Sequence, residues 1–156
     1  MKFNLLLLTI LITSILHPVY SQQLQPEVKD DSLIYHLTIS EKIVNKTGKN
    51  VNAMAINGTI PGPTLTFQEG QHAVIHVTNT MKEETSVHWH GLLLPNFMDG
   101  VPYLTTPPIR PGKTLTYDFP LTHSGTYWYH THTGLQEQKG IYGSIVIEPK
   151  EKKLDY

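Results

Sequence analysis

No cysteine occurs among the 156 residues. That excludes disulfide stapling and every metal site built on a thiolate. Neither sign of charge dominates: 12 basic residues stand against 13 acidic ones, a net of −1 with histidine neutral. There is no basic stripe for nucleic acid and no polybasic cluster for a membrane surface. Long apolar runs are missing too. The longest, Leu5 to Leu16, is about twelve residues against the roughly twenty that cross a bilayer. No stretch of ten residues or more carries a helical period.

That short apolar run has its own meaning. Lys2 precedes it and "VYS" follows it, the pattern of a secretory signal over residues 1–21 cut before Gln22. An exported protein, periplasmic or secreted, is expected, with no membrane span after cleavage. Residues 22–31, "QQLQPEVKDD", read as a polar lead-in, 32–149 as one domain, and 150–156 as a charged linker or tail. Without disulfides the core must hold itself together, and roughly 135 residues are enough for that.

What is abundant is turn chemistry. Eleven glycines and eleven prolines fall between short alternating segments. Strands are predicted within 33–40, 51–58, 64–67, 73–79, 86–91, 114–120, 125–132 and 143–149. About eight strands with turns every 8 to 12 residues point to an all-β sandwich or barrel. The connection from Leu92 to Lys113 is long, and long loops in compact domains are often functional.

Histidine is the other abundance, with nine in the chain. Four of them form two pairs, His88 and His90 in "SVHWHG", and His130 and His132 in "GTYWYHTHTG". In a strand, alternate residues share a face about 6.6 to 7 Å apart. If the two strands are neighbours, four imidazoles meet. Without a metal they would repel on protonation, whereas neutral imidazole ligates copper, zinc, iron and nickel. Spacing leaves open whether both members of a pair serve one ion or two. A lone His-x-His is more often a solvated strand pair; two pairs, each near a Trp and followed by a Gly, favour metal. His36, His72, His76 and His123 read as ordinary strand or turn residues. Trp89, Tyr127, Trp128 and Tyr129 read as packing, with Trp128 on the same parity as His130.

"HWHGLLLPNFMDGVP", "GTYWYHTHTGLQEQKGIYGSIVIEP" and the upstream "AINGTIPGPTL" resemble the first cupredoxin domain of multicopper oxidases, the bacterial copper-resistance and laccase type. The resemblance spans roughly residues 33–149. It implies a Greek-key β-sandwich of the plastocyanin-like, cupredoxin type. It also implies that His88 binds a type 2 copper, and that His90, His130 and His132 bind a type 3 pair. Asp99 in "MDGVP" matches an acidic residue that assists proton delivery, although "DG" suits a plain turn equally. The family's three-copper cluster reduces dioxygen to water. It takes its other four histidines from a last cupredoxin domain, which also holds the type 1 blue copper on a Cys.

These 156 residues depart from that pattern in having no His-Cys-His segment, so no type 1 site. The expectation is the N-terminal part of a longer oxidase, inactive alone and needing C-terminal cupredoxin domains in cis or trans. The alternatives are a stand-alone exported copper carrier or buffer, and a domain that binds zinc or no metal.

Overall fold

The computed structural model describes residues 24–45 and 47–151. The signal reading of residues 1–21 lies outside them. Among the described residues, nine strands form two sheets. The first contains β1 (Glu27–Lys29), β2 (Ser32–Val44), β5 (His72–Asn79) and β7 (Thr114–Pro120) in that order, with β3 (Val51–Ile56) also on β2. The second runs β4 (Leu65–Gln68), β9 (Tyr142–Glu148), β8 (Gly125–His130), β6 (His88–His90). Two pairings are parallel, β2 with β5 and β4 with β9; the rest are antiparallel.

Alternation drives the layering. Leu33, Tyr35, Leu37 and Ile39 of β2 point inward, as do Ala73, Ile75 and Val77 of β5, and Tyr117 and Phe119 of β7. From the other sheet come Leu65, Phe67, Trp89, Tyr129, Ile145 and Ile147. These form one core between the sheets. Aromatic rings cross the gap: Tyr35 meets Phe67 edge-on at 5.1 Å, and Trp89 meets Tyr117 at 5.0 Å. Such offset contacts add roughly 0.5–1.5 kcal/mol each beyond area burial. The predicted turn at Asn57-Gly58 closes with both residues at positive φ, 50° and 74°. Asn57 anchors it by accepting from the Thr38 amide and donating to the His36 carbonyl.

The all-β architecture matches the expectation drawn from turn spacing, with particular differences. β1 lies inside the stretch read as a polar lead-in, where it pairs with β2. β2 extends four residues beyond the predicted end because Glu41 to Val44 keep pairing with β3. Strand β6 is only three residues, and β8 stops at His130, so His132 is not on a strand. Past His130 the chain turns, and polar side chains take over. The His132 amide donates to Ser86 Oγ at 3.0 Å, and the Thr133 amide to Thr131 Oγ1. One helical turn, α1 (Gln136–Lys139), follows.

The long connection is well tied. Buried Asn79 donates through Nδ2 to the carbonyls of Glu83 and Ile109 and accepts from the Met81 amide. Thr85 pairs with Ile109 at the far end of the loop. A 3-10 turn at Asn96–Met98 leads into Asp99. These ties hold the loop against the end of β6.

Candidate metal centre

Strand register sets the site. β6 and β8 are antiparallel neighbours, with His88 opposite His130, Trp89 opposite Tyr129, and His90 opposite Trp128. The even-numbered side chains face one way and the odd-numbered ones enter the core. Trp89 and Tyr129 are fully buried. Their depth fixes the two strands and so fixes where the histidines stand.

The four imidazoles converge. Ring centroids are 5.6 Å apart for His88–His90, 5.4 Å for His88–His130, 5.4 Å for His90–His130, 4.9 Å for His88–His132 and 5.0 Å for His130–His132. His88, His90 and His130 each offer a nitrogen within 4.8 Å of the others. His132 stands beside this trio, positioned by the turn instead of by strand parity. Trp128 forms a wall, stacked on His130 at 4.0 Å and 17° and tilted toward His90 at 5.1 Å.

Hydrogen bonds set which nitrogen is free. His88 Nδ1 donates to the Asp99 carbonyl at 2.7 Å, with Asp99 Oδ1 at 3.4 Å. Its Nε2 is thereby left with the lone pair. His130 Nδ1 donates toward the Thr131 carbonyl at 3.1 Å and Glu137 Oε2 at 3.0 Å. His130 Nε2 faces His90 Nδ1 at 3.2 Å. Without a cation one proton bridges those two nitrogens; with one, both lone pairs can turn to it. Burial pushes His130 and His132 below the ordinary imidazole range, with the neighbouring His88 adding to the effect. A buried imidazole that stays neutral is ready to ligate near neutral pH.

Asp99 is set by its neighbour. Gly100 sits at φ 83° with its Cα against the Val87 carbonyl, where a Cβ would lie 1.7 Å from the oxygen. The Gly100 amide donates to Thr106 Oγ1 at 2.8 Å, and that hydroxyl donates onward to the Phe97 carbonyl. Only glycine allows this approach, which brings the Asp99 carbonyl to His88.

The structure therefore brings together all four histidines of the two pairs, with Asp99 at the edge. Sequence reasoning missed Glu137, which lies seven residues past His130 and reaches it because α1 folds back. It also missed Gln136. Gln136 is buried, donates to the Glu84 carbonyl at 2.8 Å and accepts from the Thr85 hydroxyl at 2.7 Å, clamping the turn after His132. Strand periodicity carries no signal for either contact. His36 and His76, read as ordinary strand residues, are cross-strand partners in the parallel ladder.

Comparison with known proteins gives the family. The sequence model described as multicopper oxidase matches residues 38–152. Copper resistance protein A of Escherichia coli is 50% identical over 117 residues, covering 75% of this chain and 19% of that protein. Laccase-2 of Botryotinia fuckeliana is 43% identical over 116 residues, covering 72% of this chain and 20% of its own length. The crystal structure of a multi-copper oxidase from Pseudomonas thermotolerans superposes with a TM-score of 0.74 at 32% identity, over 77% of this chain and 30% of that one. This chain thus spans about a fifth of the length of the curated relatives it matches. On the family match and the cupredoxin fold together, the chain belongs to the multicopper oxidase family.

Proposed function

We propose that His88, His90, His130 and His132 are copper ligands and form half of a three-copper cluster. His88 serves the type 2 ion, and His90, His130 and His132 serve the type 3 pair. The observation that carries this reading is the meeting of four imidazoles at 4.9–5.6 Å from two strand ends. The donor set fits: burial favours the neutral form of His130 and His132, His88 and His130 have Nδ1 committed to protein oxygens, and imidazole suits copper.

Bound copper supplies the redox chemistry, the four-electron reduction of dioxygen to water. The chain's own residues orient and protect. The Asp99 carbonyl holds the His88 proton on Nδ1, and Glu137 with the Thr131 carbonyl does the same for His130. The Asp99 carboxylate, 29% exposed and 3.4 Å from His88, is positioned to carry protons from solvent. Four histidines among three ions leave each one short of ligands, so the remaining ligands come from a further cupredoxin domain, with the type 1 copper. Exposed Leu93, Phe97, Leu104 and Leu135 lie on the two segments that carry or flank the histidines, and they support docking of that domain here. Export to the periplasm or beyond is part of the same reading. It rests on the segment 1–21, and among the described residues no helix is long and apolar enough to cross a membrane.

The test is copper titration of the chain and of His90→Ala. The His90 ring is exposed at a strand end, so the variant should keep its metal-free melting temperature and bind copper at least tenfold more weakly. Unchanged copper affinity, or a metal-free variant that no longer folds, would overturn the assignment.

A further inference from the structure

Strand ladders carry His88, His90 and His130, but β8 ends before His132. Side-chain hydroxyls take over there. The His132 amide donates to Ser86 Oγ at 3.0 Å. Ser86 Oγ lies 3.0 Å from Thr133 Oγ1 and 3.3 Å from Thr131 Oγ1. Thr131 Oγ1 accepts from the Thr133 amide at 3.0 Å and donates to Gln136 Oε1 across a longer 3.4 Å. Thr85 Oγ1 donates to the same Oε1 at 2.7 Å. Gln136 Nε2 donates to the Glu84 carbonyl, which fixes the way the amide faces. Thr85, Ser86, Thr131 and Gln136 are all buried. Buried polar groups need partners, and a carbonyl oxygen can only accept. Both hydroxyl protons therefore end on Gln136 Oε1, and the amides of His132 and Thr133 end on hydroxyl oxygens. Ser86 stands two residues before β6, on the parity of His88. One short stretch thus presents His88 and also anchors His132, whose ring is 4.9 Å from the His88 ring.

We propose that Ser86 and Thr131 are positioning residues for His132, their hydroxyls setting its distance from His88. This rests on the reading of His132 as a copper ligand and names how that ligand is held. His88 and His130 are steadied at the ring, where Nδ1 meets protein oxygens. His132 is steadied at its peptide nitrogen. A metal site needs its ligands held to within about 0.5 Å. Ser86→Ala removes the acceptor and leaves the His132 amide unpaired, so the turn shifts to find another partner. Outer partners of ligating histidines are worth about 10–100-fold in metal affinity. A packing role makes the opposite demand at position 131. If bulk alone mattered there, valine would replace threonine without effect and serine would not.

The experiment is Cu2+ titration of the full chain, of Ser86→Ala, Thr131→Val, Thr131→Ser and His132→Ala, and of the Ser86→Ala/His132→Ala double variant. Ser86→Ala and Thr131→Val should each weaken copper binding about tenfold, while Thr131→Ser stays within about twofold of the parent. With His132 already replaced, Ser86→Ala should change the affinity by less than about twofold. In NMR spectra of metal-free protein, Ser86→Ala should shift the His132 and Thr133 amide signals and leave the Trp89 indole signal in place. The proposal is overturned if Ser86→Ala binds copper like the parent, if Thr131→Ser is as weak as Thr131→Val, or if the Ser86→Ala loss persists once His132 is gone. Should Ser86→Ala fail to fold, the two Thr131 variants decide alone. Parent-like copper affinity in His132→Ala has a different meaning: it removes His132 from the ligands and overturns that reading together with this proposal.

Discussion

Gly100 tests the coupling between the loop and the centre most directly. Gly100→Ala adds one methyl group at φ 83°, where an L side chain costs roughly 1–2 kcal/mol. The larger penalty is contact. The new Cβ would stand 1.7 Å from the Val87 carbonyl oxygen and 2.9 Å from the His88 Cα. Both are backbone atoms at the entry to β6, the strand that carries the first histidine, so neither can rotate away. To reach an ordinary separation the loop must retreat by more than about 1 Å in a close-packed region. Such a retreat breaks the 2.7 Å bond from His88 Nδ1 to the Asp99 carbonyl and the 2.8 Å bond from the Gly100 amide to Thr106. Each is worth about 1 kcal/mol. Together with the φ cost, the expected loss is about 3–4 kcal/mol. Releasing the His88 proton from its acceptor should also weaken copper binding by about 10–100-fold. Urea unfolding of metal-free protein reads the first quantity and copper titration the second. A Gly100→Ala chain within about 0.5 kcal/mol of the parent, with parent copper affinity, would refute this account of how Asp99 is held.

Two further outcomes are expected. Trp89→Ala should cost about 3–5 kcal/mol in urea unfolding, because the ring is fully buried against Tyr117, Phe119 and Tyr129; a loss below about 1 kcal/mol would remove it from the core. Acidification should destabilise the metal-free chain. Burial holds His130 and His132 below the ordinary imidazole range, so the unfolded chain takes up protons first. Their contribution is fully present above about pH 6.5 and is lost as pH falls from there toward the lowered folded values. Urea midpoints measured from pH 7.5 to 5 should therefore fall, and replacing both histidines by Gln should flatten that slope; an unchanged slope in the double variant would contradict it.

Much of the fold could be read from alternation. β7 was delimited to the residue, and β5 and β9 to within one, because each alternates apolar and polar over its full length. The site was legible for a different reason. Two His-x-His segments were identifiable without knowing the strand order, and the register of His88 against His130 then brought them together. What stayed hidden depends on tertiary geometry. His132 reaches the cluster by a turn pinned to Ser86, forty-six residues away, which no local period encodes. Glu137 meets His130 only because α1 folds back. His36 and His76 are forty residues apart and became neighbours through a parallel pairing, for which the sequence has no hairpin signal.

The pairing of β4 with β9 reaches from Leu65 to Ile145 and brackets every histidine of the centre. β8 leans on the same last strand along its whole length, from Gly125 opposite Ile147 to His130 opposite Tyr142. A polypeptide ending at Gly134 would own all four imidazoles and yet lack the neighbour that pairs with the whole of β8, the strand that presents His130. Assembly of the histidine-bearing face must therefore wait for β9 to emerge and dock, so a nascent chain holds all four imidazoles unarranged until that strand arrives.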